Sequence, residues 1–68
     1  MTPDELTVLN AMRKIGAGAR ISRQEIVNHT HLPLERVNKA LDGLDSSGHV
    51  WPMGDKFKLA SDGTTFDT

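Results

Sequence analysis

Ser22-Arg23-Gln24-Glu25-Ile26-Val27-Asn28-His29-Thr30-His31-Leu32-Pro33-Leu34-Glu35-Arg36-Val37-Asn38-Lys39-Ala40-Leu41-Asp42-Gly43-Leu44-Asp45-Ser46-Ser47-Gly48-His49-Val50 reads as two helices joined by a tight turn. Ser22 followed three residues later by Glu25 is a capping box, in which each side chain bonds the other residue's backbone N–H. Ile26 and Val27 supply a short apolar face, and the segment fades by His29-Thr30. A helix of about two turns is not stable alone in water, so it must dock on its neighbours. Pro33 disfavours helical geometry at Leu32, which makes His31-Leu32-Pro33 a turn. Beyond it, Val37, Leu41 and Leu44 fall at i, i+4 and i+7 with Ala40 beside them. That is the stripe of an amphipathic helix running from Pro33 or Leu34 to about Ser46. Gly48 then closes it in the left-handed conformation that glycine takes cheaply.

Upstream, Thr2, Pro3 and Glu5 make a second capping box with proline at the first helical position. Leu6, Leu9 and Met12, widened by Val8 and Ile15, give this first helix its apolar side, and Gly16-Ala17-Gly18 ends it. Arg20-Ile21 is a minimal extended piece. Downstream, His49-Val50-Trp51 and Lys56-Phe57-Lys58-Leu59 read as two strands, with Pro52-Met53-Gly54-Asp55 as the hairpin turn. Phe57 and Leu59 alternate with Lys56 and Lys58, the period of a half-buried strand. Residues 1–60 therefore form one domain, and residues 61–68, small and polar, read as a disordered tail with Phe66 near its end.

The order helix, short strand, helix, turn, helix, hairpin resembles the winged helix-turn-helix domains of MarR-like and related bacterial and archaeal repressors. Residues 22–27 stand where that family has its second helix, Leu32-Pro33 its turn, residues 34–46 its recognition helix, and Gly48-His49-Val50 its glycine and first wing strand. The resemblance covers residues 2–60. It implies an α+β fold of three helices with a C-terminal two-stranded β-hairpin wing. It also implies a small transcriptional regulator that binds double-stranded DNA without a cofactor, its third helix in the major groove and its wing on the phosphates.

Composition narrows the classes. With 68 residues and 37% hydrophobic residues, the chain supports one core and one domain. A domain this small buries only about 60% of the surface its unfolded chain exposes, so its stability is marginal. The lack of cysteine excludes a disulfide scaffold, a thiolate zinc site and a cysteine nucleophile. His29, His31 and His49 do not make up a metal-ligand set, for which three or four converging groups are needed. No apolar run exceeds two residues, so no membrane span is expected, and Met1 to Glu5 lacks the regions of a signal peptide. A cytoplasmic protein follows. So small a core hardly surrounds a substrate pocket, and no nucleophile, carboxylate pair or phosphate loop appears, so no enzyme is expected. The net charge of −1 hides an uneven spread: between Arg13 and Lys39 there are six basic residues against Glu25 and Glu35.

Helical geometry at 100° per residue sorts the third helix. With Val37, Ala40, Leu41 and Leu44 inward, Glu35, Lys39, Asp42 and Ser46 point outward. Asn38 and Asp45 take one flank, Arg36 and Gly43 the other. On the resemblance, Asn38 reads adenine with both amide atoms, Arg36 or Lys39 contacts guanine or phosphate, and Glu35 accepts from cytosine. Arg23 and Gln24 at the start of the second helix hold a phosphate, with Arg13, Lys14 and Arg20 at the periphery. Lys56 and Lys58 point the same way along the wing.

Each of these has a plainer reading. Glu35 and Asp42 oppose the phosphates' field, and Glu35 with Lys39 is an ordinary i, i+4 pair on a solvated face. Lysines on an edge strand block edge-to-edge pairing. Trp51 packs within the sheet or on the third helix; exposed together with Met53, it marks a protein-contact patch instead. The alternative function is accordingly a protein-interaction module using the wing around Trp51 and Met53 or the acidic face of the third helix. A monomer or weak homodimer is expected, and a palindromic site would require the dimer.

Overall fold

The computed structural model describes residues 1–16 and 18–60, and the expected tail, 61–68, lies outside the described residues. The chain runs α1 (Pro3–Gly16), β1 (Ile21–Ser22), α2 (Arg23–Thr30), α3 (Leu34–Ser46), β2 (Val50–Met53) and β3 (Lys56–Leu59). The strands form one antiparallel sheet in the order β1-β3-β2. Three helices on one face of a small antiparallel sheet make an α+β arrangement with the layout of a winged helix, β2 and β3 being the wing.

Local chemistry starts and stops the helices. Thr2 Oγ1 accepts from the Glu5 N–H at 3.2 Å while Glu5 Oε1 accepts from the Thr2 N–H at 2.9 Å. The same reciprocal pair joins Ser22 and Glu25, at 3.1 Å each way. Both boxes satisfy amides that the first helical turn would leave unpaired. α2 ends at Thr30 as expected, and without a glycine there His31 takes the left-handed conformation at φ 63°. Its N–H donates to the Val27 carbonyl at 2.8 Å, and the Thr30 hydroxyl closes the turn by accepting from the Leu32 N–H at 3.2 Å. α3 ends on Gly48 at φ 81°. The Gly48 N–H reaches the Asp45 carbonyl and the His49 N–H the Leu44 carbonyl, the two bonds of a Schellman motif.

The core gathers from every element: Val8, Leu9 and Met12 of α1, Ile21 of β1, Ile26 of α2, Val37, Ala40, Leu41 and Leu44 of α3, and Val50, Phe57 and Leu59 of the wing. No polar side chain is fully buried among the described residues. Leu6 departs from expectation and is exposed. The buried stripe of α1 centres near Met12, and at 100° per residue Leu6 lies roughly 120° around the helix from it.

Two details of the sheet also differ from the sequence reading. Pro52 and Met53 belong to β2 rather than to the turn, which shrinks to Gly54-Asp55. Gly54, at φ 69°, is the first residue of this two-residue loop, the place where a tight hairpin wants glycine. Pro52 is tolerated because β2 is an edge strand. The minimal strand lies at Ile21–Ser22, one residue later than Arg20-Ile21, and it pairs with β3. Among the described residues no helix is long and apolar enough to cross a membrane.

Candidate nucleic-acid interface

α3 presents its outer side as the helical arithmetic requires. Val37, Ala40, Leu41 and Leu44 are buried, and Glu35, Lys39, Asp42 and Ser46 are exposed. Glu35 and Lys39 do not pair. Among the described residues the only ion pair is the one between Arg36 and Asp4.

That pair changes the expected site. The Arg36 guanidinium donates through Nε to Asp4 Oδ2 at 2.8 Å and through a terminal nitrogen to Asp4 Oδ1 at 2.6 Å, a two-pronged fork between α3 and the first turn of α1. The hydrogen bonds from Arg36, helped by the charges of Arg36 and Lys39, hold the Asp4 carboxyl below its ordinary value against a smaller opposing effect of desolvation. Asp4 in turn raises the Arg36 value. Asp4, Arg36 and Lys39 line a shallow cleft of about 190 Å³ with Thr2, Glu5 and Ala40. The flank carrying Arg36 and Gly43 thus faces α1. Glu5 lies so close to Gly43 that a side chain there would displace its carboxylate. Arg36 is engaged by Asp4 through two of its nitrogens while its side chain stays 56% exposed, so turning fully to a base would mean giving up the fork.

Asn38 is also less available than its position on the helix suggests. It is half-buried, and its Oδ1 is shut off from solvent with no hydrogen-bond partner. A two-point contact to adenine needs both amide atoms, so Asn38 must rotate outward to make it.

Arg23 packs its guanidinium over the Phe57 ring, 4.8 Å from the centroid. This contact uses the flat face of the group and leaves N–H donors on its edge. Gln24 is exposed, and its Nε2 donates to Asn28 Oδ1 at 3.0 Å. The start of α2 therefore offers one half-buried cation and one exposed amide.

The sheet presents what the helix lacks. In the β2–β3 register Val50 faces Leu59 and Pro52 faces Phe57, while Trp51 faces Lys58 and Met53 faces Lys56. Successive side chains of a strand point to opposite faces. Val50, Phe57 and Leu59 are buried on the core side while Pro52, at the outer end of β2, is exposed, and by alternation Trp51, Met53, Lys56 and Lys58 share the outer face. Trp51 is 49% exposed, which overturns the expectation that it packs away. The protective reading fails as well for Lys56. β3 is the central strand of the sheet and Lys56 is paired on both sides, so it guards no free edge, while Lys58 lies just past the two residues that β1 pairs. Arg20 is exposed and lies just before β1.

The sequence reading missed two features: the Asp4–Arg36 fork and the pairing of β1 with β3 that extends the wing into a three-stranded sheet. Asp4 lies 32 residues from Arg36, and no spacing rule links positions that distant. The sheet face rests on the pairing of β1 with β3, for which a two-residue strand gives no local signal. Compared with protein-family models, curated proteins and solved structures, the chain finds no match.

Proposed function

We propose that this chain is a winged helix-turn-helix DNA-binding protein, a small cytoplasmic regulator of transcription that acts by occupying a duplex site and catalyses nothing. The observation that carries the reading is the free outer side of α3, with Lys39 exposed on a helix anchored by one buried stripe. Lys39 and a rotated Asn38 would meet base edges, and Arg23, Gln24, Lys56 and Lys58 would hold phosphates. The test is titration of isotopically labelled protein with a mixed-sequence duplex at rising salt. Shifts should appear at Gln24, Asn38 and Lys39. With three cations on phosphates, the logarithm of affinity should fall against that of salt with a slope of about −2.7. No shift at low salt would end the duplex reading.

The acidic balance of α3 favours a second reading. With Arg36 held by Asp4, the exposed charges of α3 are Glu35, Asp42 and Asp45 against Lys39. A protein partner with a basic surface would suit that face, and substituting its acids would weaken such a complex.

A further inference from the structure

We propose that the outer face of the sheet binds single-stranded DNA, stacking an unpaired base on Trp51 and holding the flanking phosphates on Lys58 and Lys56. This goes beyond the duplex reading and uses a different surface from α3.

The face is defined by register. Lys58 stands opposite Trp51 and Lys56 opposite Met53, while Val50, Phe57 and Leu59 turn to the core. Trp51 is 49% and Met53 36% exposed, on a side of the sheet that the core does not use. Two acids border the face at its Lys56 end, Asp55 in the hairpin turn and Glu25, whose carboxylate is bonded to Ser22 opposite Lys56, while Lys58 stands opposite Trp51 away from both. Cations alone would attract any polyanion. The half-exposed indole selects among them. In a duplex the base faces are already stacked on one another, so the ring would meet only sugar and phosphate. In a single strand each base offers a free π face, and lysines beside an aromatic platform are the usual complement. An acidic peptide would satisfy the lysines, but a single strand carries a planar base beside every phosphate, and a run of acidic side chains does not.

On the hairpin side of Trp51, away from His49, the surroundings favour DNA over RNA. A ribose 2′-hydroxyl calls for a polar partner. The next row beside Trp51 carries Met53, an apolar thioether. The Ser22 hydroxyl on the far side of Lys56 is taken up by Glu25, whose N–H it accepts at 3.1 Å.

Trp51 is the sole tryptophan and the chain has no tyrosine, so intrinsic fluorescence reports from this face alone. The full chain should be titrated at low salt with an oligothymidine of about eight nucleotides, within the usual single-strand site size. Saturable quenching is expected. A strand of equal length carrying abasic sites throughout should bind more weakly and quench little, and a blunt duplex, whatever its affinity through α3, should quench little because its bases are not free to stack on Trp51. An oligouridine ribonucleotide should bind less tightly than the oligothymidine. Trp51→Ala, followed by anisotropy of a labelled oligomer and checked for folding by circular dichroism, should bind about 5- to 150-fold more weakly. Lys56→Gln with Lys58→Gln should reduce the salt slope by about 1.4. Lys39→Gln should leave the quenching intact, which separates this site from the α3 reading. Equal quenching by the abasic strand, by the duplex or by an aspartate-rich peptide, or unchanged binding by Trp51→Ala, would overturn the stacking site. Equal or tighter binding of the ribonucleotide would overturn its assignment to DNA.

Discussion

Asp4 and Arg36 show how one residue far away in sequence changes the meaning of another. Arg36 was expected to reach DNA, and Asp4 draws it back onto α1 through two hydrogen bonds. Because the folded protein holds the Asp4 carboxyl below its ordinary value, the pair's contribution to stability is complete above the unfolded-state value, about 3.9. It is lost as pH falls through the lower folded value. Asp4→Asn should therefore flatten the dependence of stability on pH below about 4, followed by urea denaturation at several acid pH values. The same substitution releases Arg36, so duplex affinity should rise and the salt slope steepen by about 0.9, the worth of one added phosphate contact. Asn38 poses the opposite balance. Its buried, unpaired Oδ1 costs stability, and asparagine is a weaker helix former than alanine. Asn38→Ala should raise stability by about 1 kcal/mol in thermal melts while weakening duplex binding.

At the scale of elements, α2 is the weakest link in the fold. It has 8 residues, and Ile26 is its only fully buried side chain. Its capping box and the left-handed His31 set its ends, but docking through Ile26 holds it in place. Ile26→Ala should cost about 2–5 kcal/mol. Stability for a chain of this length is expected to be only about 3–10 kcal/mol. The midpoint of urea unfolding should fall steeply, and amide protection in α2 should be lost first. Both capping boxes, the Schellman ending of α3 and the alternation of β3 were legible in sequence, because each lies within a few adjacent residues. The boundary of β2 was not. Pro52 looks like a turn residue, and only its place on a sheet edge makes it acceptable in a strand.

Across the whole molecule, a net charge of −1 conceals two surfaces of opposite sign. The exposed side of α3 carries Glu35, Asp42 and Asp45 against Lys39, while the outer sheet face carries Lys56 and Lys58. Glu35→Gln with Asp42→Asn should strengthen duplex binding by roughly tenfold at low salt, with the gain shrinking at high salt as screening removes the repulsion. A filter-binding or anisotropy titration at two ionic strengths checks it. Weaker association with a basic protein partner after the same substitutions would instead support the interaction-module reading.

The sequence by itself determined the helices, their caps, the wing strands and the outward residues of α3. These follow from periodicity and from hydrogen bonds between near neighbours, which act over one or two turns of chain. Tertiary structure alone decided which of those residues are available. It fastened Arg36 to Asp4, covered the Asn38 carbonyl oxygen, and left Trp51 half in solvent. It also placed β3 at the centre of the sheet, so that Lys56 fronts a platform rather than guards an edge. Availability depends on what other elements bring alongside a side chain, and packing between distant segments fixes that only once the chain has closed on itself.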